Sequence, residues 1–570
     1  MRAGSFVEGV AVTALAAGLT IALTYPIAPN IRSVARVDSG DGQWNIWNIS
    51  WVARTVVREP HRLYDANIFH PHEKTLAYSE NNFGAGTMVA PVYWASRDPI
   101  LTHNVAVLLA FVLSFLATYA LVRHLTGSAA AAVIPALLFA FCPYVFSRMA
   151  HIQLLYTAGF PICLLALHRY VERPTPRRAA WLAAALVATA LTCGYYGLYA
   201  GLLVGLGVLF YATSRRRWLD VRYWAGVAGA AITSVLVMLV LFRPYLHMRA
   251  RGFVRTLDDA LMWAPTWRDY FVSSAWAHGW MLPYVDRWTE VLFPGYVALA
   301  LGLTGAAIAL RPRPALGPAV NRPPARETAL FYLLVAVVAF WMSMGPAGGL
   351  YTAVYHLFPP LSFLRGVGRI GVLVSLSLAV LSAFAIERLI RARPRRVAAG
   401  LIAGLGLLAV LDLNTTPIGQ TPVPPLPTAH RMLANLPRGP VAEVPFFWRP
   451  NQRYQQAQYM MWSAWHWQPL INGYSDNFPP GFTEAAQTID TFPTAEAFEV
   501  LQERGARYVV VHLRLYDPAG RERVIEGLGA YRAFLQPLAR EDDVWLFEIL
   551  DFPGERVGEP GVGEQPPSRP

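Results

Sequence analysis

Two aspartates open the most distinctive segment of the chain. Asp38 and Asp41 stand in the Gly-rich turn of Val37–Trp51, directly after the first long apolar run. Carboxylates beside a bilayer are unfavourable unless water, a cation or a substrate meets them. A carboxylate can also take a proton from a hydroxyl group, so the segment predicts chemistry at a membrane surface. The structural alternative is that Asp41 caps the helix that follows and that Asp38 belongs to a turn.

Six arginines at two later places are candidates for binding an anion, because a guanidinium group offers paired N–H donors. They are Arg243, Arg249, Arg251 and Arg255 after one apolar run, and Arg365 and Arg369 before another. All six are expected on the outer side, where orientation of the spans does not require positive charge. We predict that both sets converge on one cavity with Asp41 at its mouth. Pairing with acidic residues or lipid headgroups is the alternative for each arginine.

Further polar and aromatic residues border apolar runs and are candidates for binding a substrate. They are Glu80 in the first outer loop, His151 and Gln153 at the start of a run, and Tyr195 and Tyr196, which interrupt the apolar stretch between Cys193 and Leu198. Caps, backbone bonds or interfacial positions explain these residue types equally well.

A divalent metal is the only cofactor that the sequence suggests. Asp41, His70 and His72 supply carboxylate and imidazole groups, although His-Pro-His spacing is more typical of a surface loop than of a ligand motif. The three cysteines lie in apolar runs and predict neither a disulfide framework nor a metal site.

The composition is that of a polytopic membrane protein. Hydrophobic residues make up 55% of the 570, and the mean hydropathy is +0.33, more apolar surface than a soluble domain can bury. Runs near the roughly 20 residues of a span predict about eleven transmembrane helices. The runs are Val7–Tyr25, Leu101–Val122, Ala129–Phe146, Leu154–Val171, Ala180–Cys193, Leu198–Ala212, Tyr223–Phe242, Val291–Leu310, Ala329–Met344, Ile370–Ile390 and Val397–Leu413.

Arginine-rich short loops orient these spans. Because such loops stay cytoplasmic, the first residues are expected inside, and residues 28–100, 244–290 and everything after 413 outside. The loops are Arg173–Arg178, Arg215–Arg217, Arg311–Arg326 and Arg391–Arg396. The net charge of +12 is thus mainly an orientation signal, and its dispersal over separate loops excludes a nucleic-acid surface.

The chain divides into a membrane part and a C-terminal domain. Residues 1–413 form the transmembrane part, 414–428 a Pro-rich linker, 429–552 a small extracytoplasmic α/β domain, and 553–570 a disordered tail. Strands are predicted at Val441–Phe446, Tyr508–His512 and Val544–Ile549, and helices at Thr494–Arg504 and Gly520–Phe534.

The first outer loop is expected to carry a helix that lies on the bilayer. Within Gln43–Val57 the residues Trp44, Trp47 and Trp51 recur at helical spacing, and Trp favours the membrane interface. The second outer loop, Thr256–Trp288, is also rich in Trp and Tyr. Together the two loops predict a covered cleft above the spans.

Several motifs together resemble one family. They are Gly40-Asp41 through Trp51, Leu63-Tyr64-Asp65-Ala66-Asn67-Ile68-Phe69-His70-Pro71, Leu76-Ala77-Tyr78-Ser79-Glu80, His151-Ile152-Gln153-Leu154-Leu155, Phe293-Pro294-Gly295, and Leu364-Arg365 to Arg369. An acidic motif after the first span, followed by a long outer loop, is similar to the GT-C superfamily of membrane glycosyltransferases. That superfamily includes protein mannosyltransferases and lipid A aminoarabinose transferases, and the resemblance covers most of the membrane part.

The resemblance implies a hexosyl- or pentosyltransferase in the bacterial inner membrane. Its donor would be a polyprenyl-phosphate sugar, its acceptor a glycan, a lipid or a protein of the cell envelope. Asp41 would be the general base, Asp38 its partner or a metal ligand, and the arginines would hold the donor phosphate. Two alternatives remain. One is a flippase or transporter of lipid-linked glycans, which favours charges within spans, and the other is a non-catalytic accessory protein that binds glycolipid.

Overall fold

The computed structural model describes residues 3–250, 252–311, 324–541 and 543–553, and for residues 3–5 the backbone alone. The chain forms two compact units. The first comprises residues 1–38, 48–60 and 80–423, and the second comprises residues 39–47, 61–79 and 424–570. The second unit therefore includes two pieces of the first outer loop in addition to the predicted C-terminal domain.

The first unit is a bundle of apolar helices. Its longer helices are Ala3–Leu23, Phe83–Ser96, Pro99–Thr126, Ala129–Ala140, Gly159–Glu172, Pro176–Thr192, Gly194–Ser214, Val221–Leu241, Tyr296–Leu310, Ala325–Ser343, Val372–Ile390 and Arg395–Leu413. Shorter helical turns include Pro143–Phe146, Ile152–Leu155, Arg243–Ala250, Leu257–Met262, Trp267–Phe271, Trp276–Tyr284, Leu350–Leu357, Pro359–Phe363 and Val367–Gly371.

Each of the about eleven predicted spans coincides with a helix. Among the described residues, 8 helical segments are long and apolar enough to cross a membrane. The three predicted spans outside that set are the helices Gly159–Glu172, Pro176–Thr192 and Tyr296–Leu310, which have 14, 17 and 15 residues. The predicted division of residues 180–212 into two helices is confirmed, since Cys193 interrupts the helical backbone between them.

One helix forms the centre of the bundle. In an 18-residue window of Val367–Ile390, 89% is buried within the protein. The corresponding share for Val221–Leu241 is 6%, so this helix must face lipid if the bundle lies in a membrane. The central helix packs against Tyr296–Leu310, Ala325–Ser343 and Ala129–Ala140. Its apolar all-round sequence is typical of a helix with neighbours on every side.

Glycine permits the closest of these approaches. A Cβ atom at Gly302 would lie 2.9 Å from the carbonyl oxygen of Leu378, and one at Gly305 would overlap the backbone of Leu381. Small residues four or fewer positions apart let two membrane helices bring their backbones together. Side-chain caps fix helix starts in the same unit, for example Asp98, which accepts from the amides of Ile100 and Leu101.

The predicted linker is partly held by the first unit. Val34–Ala35 and Thr421–Pro422 form a two-stranded antiparallel ribbon. The amide of Ile418 also donates to the carbonyl of Tyr25 at 2.9 Å. These bonds place residues up to Val423 in the first unit, so the Pro-rich stretch is anchored over much of its length.

The second unit contains a four-stranded sheet covered by short helices. In spatial order the strands are Val441–Val444, Tyr508–His512, Val544–Ile549 and Leu535–Glu541, with a parallel first pair and antiparallel neighbours after it. The helices are Thr428–Leu433, Gln456–Ser463, Phe482–Ile489, Ala495–Glu503 and Pro518–Ala530. The α/β prediction is confirmed, but the strand Leu535–Glu541 was not predicted, because its alternating polar residues leave only Leu535 buried. The predicted disordered tail lies outside the described residues except Pro553.

The tryptophan-bearing helix runs from Gly40 to Arg58, as the spacing predicts. Its predicted place on the bilayer is wrong for the three tryptophans. Trp44, Trp47 and Trp51 are 7%, 0% and 5% exposed, so their rings pack inside protein. The indole of Trp47 donates to the side chain of Asn67 at 2.9 Å, a partner that a lipid surface does not offer.

Candidate functional site

The break between two helices of the first unit places Tyr195 and Glu80 together. Cys193 has an extended backbone, and the helix Gly194–Ser214 begins directly after it. The amide of Gly194 donates to the Glu80 carboxylate at 3.4 Å, and a Cβ at Gly194 would lie 3.5 Å from both of its oxygens. A carboxylate at a helix N-terminus is favourable because the helix dipole is positive there. Glu80 is thereby fixed beside Tyr195.

Tyr195 in turn meets the segment that contains two predicted arginines. The guanidinium of Arg369 lies 4.3 Å from the centre of the Tyr195 ring. The backbone amide of Arg365 donates to the Tyr195 hydroxyl at 3.4 Å. Tyr195 is therefore in contact with two of the predicted arginines, Arg365 and Arg369, which lie far from it in the sequence.

Tyr196 has a different place from its neighbour. It is fully buried, its hydroxyl donates to the carbonyl of Leu154 at 2.7 Å, and it also contacts the hydroxyl of Tyr144 at 3.1 Å. The prediction that Tyr196 stacks on a sugar is therefore corrected to a packing role, since the ring is fully buried and its hydroxyl is already bonded in the core.

A buried ion pair, which the sequence did not identify as a site, lies beside these residues. Arg148 is paired with Glu290, and their side chains are 12% and 6% exposed. The Arg148 guanidinium also lies over the Tyr144 ring, 4.9 Å from its centre. Asp269 fixes the position of Glu290, because its carboxylate accepts from the amides of Thr289 and Glu290, each at 2.8 Å. The sequence feature that could have indicated this pair is an arginine, Arg148, shortly after an apolar run.

Two glycines bring Arg369 against this pair. A Cβ at Gly368 would lie 2.6 Å from Cγ of Glu290, and one at Gly366 would lie 2.6 Å from Nε of Arg369. Any larger residue would push the arginine segment away from the glutamate. We call the group Glu80, Arg148, Tyr195, Glu290 and Arg369 the arginine site.

The hydrogen-bond donors of the arginine site are incompletely matched, although its two glutamates balance its two arginines in formal charge. The Nε atoms of Arg148 and Arg369 are both buried and without a hydrogen-bond partner. Glu290 is paired with Arg148, and no described carboxylate forms a salt bridge with Arg369. Buried N–H donors normally have an acceptor, and the two Nε atoms lack one. The arrangement can therefore accept an anion with several oxygens.

The earlier arginine set approaches the same segment. Arg249 lies over the ring of Phe363 at 5.3 Å, and the guanidinium of Arg365 lies 5.7 Å from the ring of Trp263. The amide of Arg255 donates to the carbonyl of Ser362 at 2.8 Å. The pKa of Asp259 is lowered chiefly by hydrogen bonds from Thr256, with smaller contributions from the positive charges of Arg255 and Arg365.

Two members of that set do not join it. Arg243 is exposed at the start of the helix Arg243–Ala250. Arg251 lies outside the described residues. Arg243 is therefore not part of the arginine site.

The two predicted catalytic aspartates have different surroundings. Asp38 is exposed, belongs to the first unit and forms an ion pair with Arg36 at 2.9 Å. Asp41 is half-buried in the first turn of its helix and belongs to the second unit. The Ser39 hydroxyl accepts from an amide of that turn, Gly42, at 3.1 Å. Ser39 thus caps the start of this helix, and the catalytic role of Asp41 stays a prediction beside its capping alternative.

His151 precedes the short helix Ile152–Leu155 of the first unit, and Gln153 lies within it. The amide of His151 donates to the carbonyl of Arg148 at 2.7 Å, which ties this helix to the arginine site. Gln153 is buried and its Oε1 has no hydrogen-bond partner. Both residues thus lie close to Arg148 along the chain. Their role in substrate binding stays a prediction.

The predicted metal ligands do not form a ligand group. Within the described ranges, one set of three His, Cys, Asp or Glu side chains has ligand atoms close enough to share an ion, and it is His430, Glu443 and His512. Asp41, His70 and His72 are not in it. Burial lowers the pKa of His70, which is half-buried in the second unit.

Comparison with known proteins identifies a family and a fold. A family model described as a domain of unknown function (DUF6311) matches residues 91–414. No curated protein matches the chain significantly. The arabinofuranosyltransferase AftD from Mycobacteria has a similar structure, with 19% identity, a TM-score of 0.54, and coverage of 94% of this chain and 41% of that one.

Two further structures are more distant. The Archaeoglobus fulgidus oligosaccharyltransferase has 15% identity and a TM-score of 0.44, covering 89% of this chain and 70% of that one. ArnT from Cupriavidus metallidurans, bound to undecaprenyl phosphate, has 13% identity and a TM-score of 0.40, covering 96% and 98%. These proteins are GT-C glycosyltransferases, and the likeness to AftD shows that the fold is GT-C-like, as the sequence predicts. The chain spans about two fifths of the AftD length.

Proposed function

The chain belongs to the DUF6311 family, and from its GT-C-like fold and its arginine site we propose that it is a membrane glycosyltransferase. The enzyme moves a sugar from a polyprenyl-phosphate donor to an acceptor on the outer face of the bacterial inner membrane. The acceptor is a glycan, a lipid or a protein of the cell envelope.

The observation that carries this proposal is the buried Nε of the half-buried Arg369. This Nε has no hydrogen-bond partner, and no described carboxylate forms a salt bridge with Arg369. The guanidinium lies 4.3 Å from the centre of the Tyr195 ring, within the range of a cation–π contact. Arg supplies paired N–H donors whose geometry matches a phosphate. We therefore assign Arg369 to the donor phosphate.

Arg148 is the second phosphate ligand. Glu290 holds one part of its guanidinium, while the buried Nε of Arg148 has no partner. Asp269 orients Glu290 through two amides and is thus a positioning residue. As the sugar leaves the carrier, negative charge develops on the phosphate, and preorganised cations stabilise that charge.

Asp41 is the proposed general base. In the reaction the acceptor oxygen forms a bond to the anomeric carbon, the bond from that carbon to the phosphate oxygen breaks, and Asp41 takes the hydroxyl proton. The polyprenyl phosphate leaves, and Arg148 and Arg369 stabilise its negative charge. A single displacement of this kind inverts the anomeric carbon. Asp38, already paired with Arg36, is a weaker candidate for the base.

A turnover assay tests the proposal. Purified protein in lipid nanodiscs is given polyprenyl-phosphate arabinofuranose, mannose or aminoarabinose together with extracted envelope material, and release of polyprenyl phosphate is followed. One donor should be consumed, and Asp41→Asn or Arg369→Gln should abolish consumption. The matched control is Arg391→Gln, an exposed arginine at the other end of the helix Val372–Ile390. Consumption of none of the donors, or equal consumption by all variants, would contradict the proposal.

A further inference from the structure

The second unit holds a group of three metal-type ligands in its core. His430, Glu443 and His512 are all 0% exposed, and one ligand atom of each lies within 4.8 Å of the others. Two atoms bound to one zinc ion at about 2.0–2.2 Å are at most about 4.4 Å apart. Small side-chain rotations therefore suffice to close the group around an ion. We propose that these three residues form a structural zinc site in the C-terminal unit.

The sheet brings two of the ligands to one face. Glu443 is paired with Val510 in the parallel strands Val441–Val444 and Tyr508–His512. Because side chains alternate along a strand, His512, two residues after Val510, points to the same side of the sheet as Glu443. His430 lies in the short helix Thr428–Leu433, close enough for its Nε2 to lie 3.6 Å from Glu443 Oε2. A metal would tie that helix to both strands.

The unsatisfied atoms point to an ion. Oε1 of Glu443 and Nε2 of His430 are buried and have no hydrogen-bond partner. A carboxylate binding through both oxygens, together with one nitrogen from each histidine, supplies the four donor atoms of a structural zinc site. Two imidazoles and one carboxylate favour zinc over magnesium or calcium, which prefer oxygen ligands.

Stacking fixes the ring of His512. It is parallel to Tyr459 and Trp462 within 17° and 18°, at centroid distances of 4.9 and 5.4 Å. The pocket around the ligands is therefore aromatic and dry, and full burial leaves no open position for a substrate. The site is accordingly structural and not a second catalytic centre.

A metal-free chain of hydrogen bonds is the alternative. The amide of Gln468 donates to Nδ1 of His466 at 3.1 Å, which places the hydrogen of that ring on Nε2, 3.5 Å from Nδ1 of His430. His512 Nε2 would then donate to Glu443 at 2.7 Å. This chain leaves Oε1 of Glu443 without a donor and His430 too far from Glu443 for a hydrogen bond, whereas an ion satisfies both.

Metal content of the full-length protein tests the site. The protein is purified in detergent through a peptide tag that needs no metal column, and zinc is measured by mass spectrometry. We expect about one zinc per chain, and near none in Glu443→Gln or His512→Phe. The matched control is His466→Phe, which removes a neighbouring imidazole that is not a ligand and should keep the zinc.

A measurement on the unaltered protein guards against variants that fail to fold. Cobalt is exchanged for zinc in the wild-type chain, and a tetrahedral site should give visible absorption that added zinc abolishes. A chelator should also lower the melting temperature of wild type, and zinc should restore it. Absence of zinc and of cobalt absorption in wild type would overturn the proposal. Full zinc content in folded Glu443→Gln and His512→Phe would do so too, and would support the hydrogen-bonded chain.

Discussion

Replacement of Arg369 by lysine keeps the positive charge and removes the planar fork. The Nε of Arg369 is a buried donor without a partner, and the guanidinium lies 4.3 Å from the Tyr195 ring. Lysine has one compact ammonium group and cannot offer Nε and a terminal nitrogen to two oxygens at once. If the arginine site binds the donor phosphate, Arg369→Lys should weaken binding although the net charge is unchanged.

The size of the effect follows from the number of donors lost. A hydrogen bond to a charged group contributes about 1.5–3 kcal/mol, and each 1.4 kcal/mol changes an equilibrium constant tenfold. Loss of the Nε donor should therefore raise the dissociation constant for a polyprenyl phosphate by roughly 10- to 150-fold. Tyr195→Leu, which removes the aromatic face and no donor, should have the smaller effect of about 0.5–2 kcal/mol.

Binding is measured with radiolabelled undecaprenyl phosphate on purified protein in nanodiscs. Arg391→Lys is the matched control, because that exposed residue follows the same helix at its opposite end and should leave binding unchanged. Melting temperature is recorded for every variant, so that a loss of binding can be separated from a loss of fold. Equal affinities for wild type and Arg369→Lys, with equal melting temperatures, would refute the assignment of Arg369 to the phosphate.

Three further expectations concern orientation, the base and the ion pair. Reporter fusions after Arg217 and Arg396 should be cytoplasmic and a fusion after Thr428 external, because short arginine-rich loops stay inside; a cytoplasmic Thr428 fusion would invert the proposed site. Asp41→Asn should lower transfer about 10²–10⁴-fold with normal insertion, and unchanged transfer would leave Asp41 a structural residue. Glu290→Gln should destabilise the protein by about 3–5 kcal/mol, because Arg148 loses its buried partner, whereas exposed Glu522→Gln should not; equal thermal melts would contradict this.

The fold was predictable where a local pattern determines it. Apolar length predicts the helices, but the break between two of them lies at Cys193, before Gly194-Tyr195-Tyr196-Gly197, which begin the next helix. Thr494 was predicted to open a helix and does cap Ala495–Glu503. The tryptophan face of Gly40–Arg58 misled the interpretation, because helical spacing shows which side chains share a face but not what covers that face.

The arginine site was predictable only in part, because its members come from distant parts of the chain. Arg365, Arg369, Glu80 and Tyr195 could be proposed from their borders with apolar runs. The Arg148 and Glu290 pair joins residues 142 positions apart, and no local pattern predicts that contact. The zinc ligands were missed for the same reason, although Glu443 inside the apolar strand Val441–Val444 is a signal that sequence alone offers.

The proposed role of the arginine site is ligand binding rather than stability. The buried Nε of Arg369 has no acceptor, and a buried donor left unpaired is unfavourable for the fold. Gly366 and Gly368 leave room for this segment because they have no side chain, and the Tyr195 ring lies against the guanidinium. The two glycines and the Tyr195 ring thus hold Arg369 with its Nε unpaired. Such a placement becomes favourable when an anion meets the guanidinium, which is the condition that a lipid-linked phosphate donor would supply.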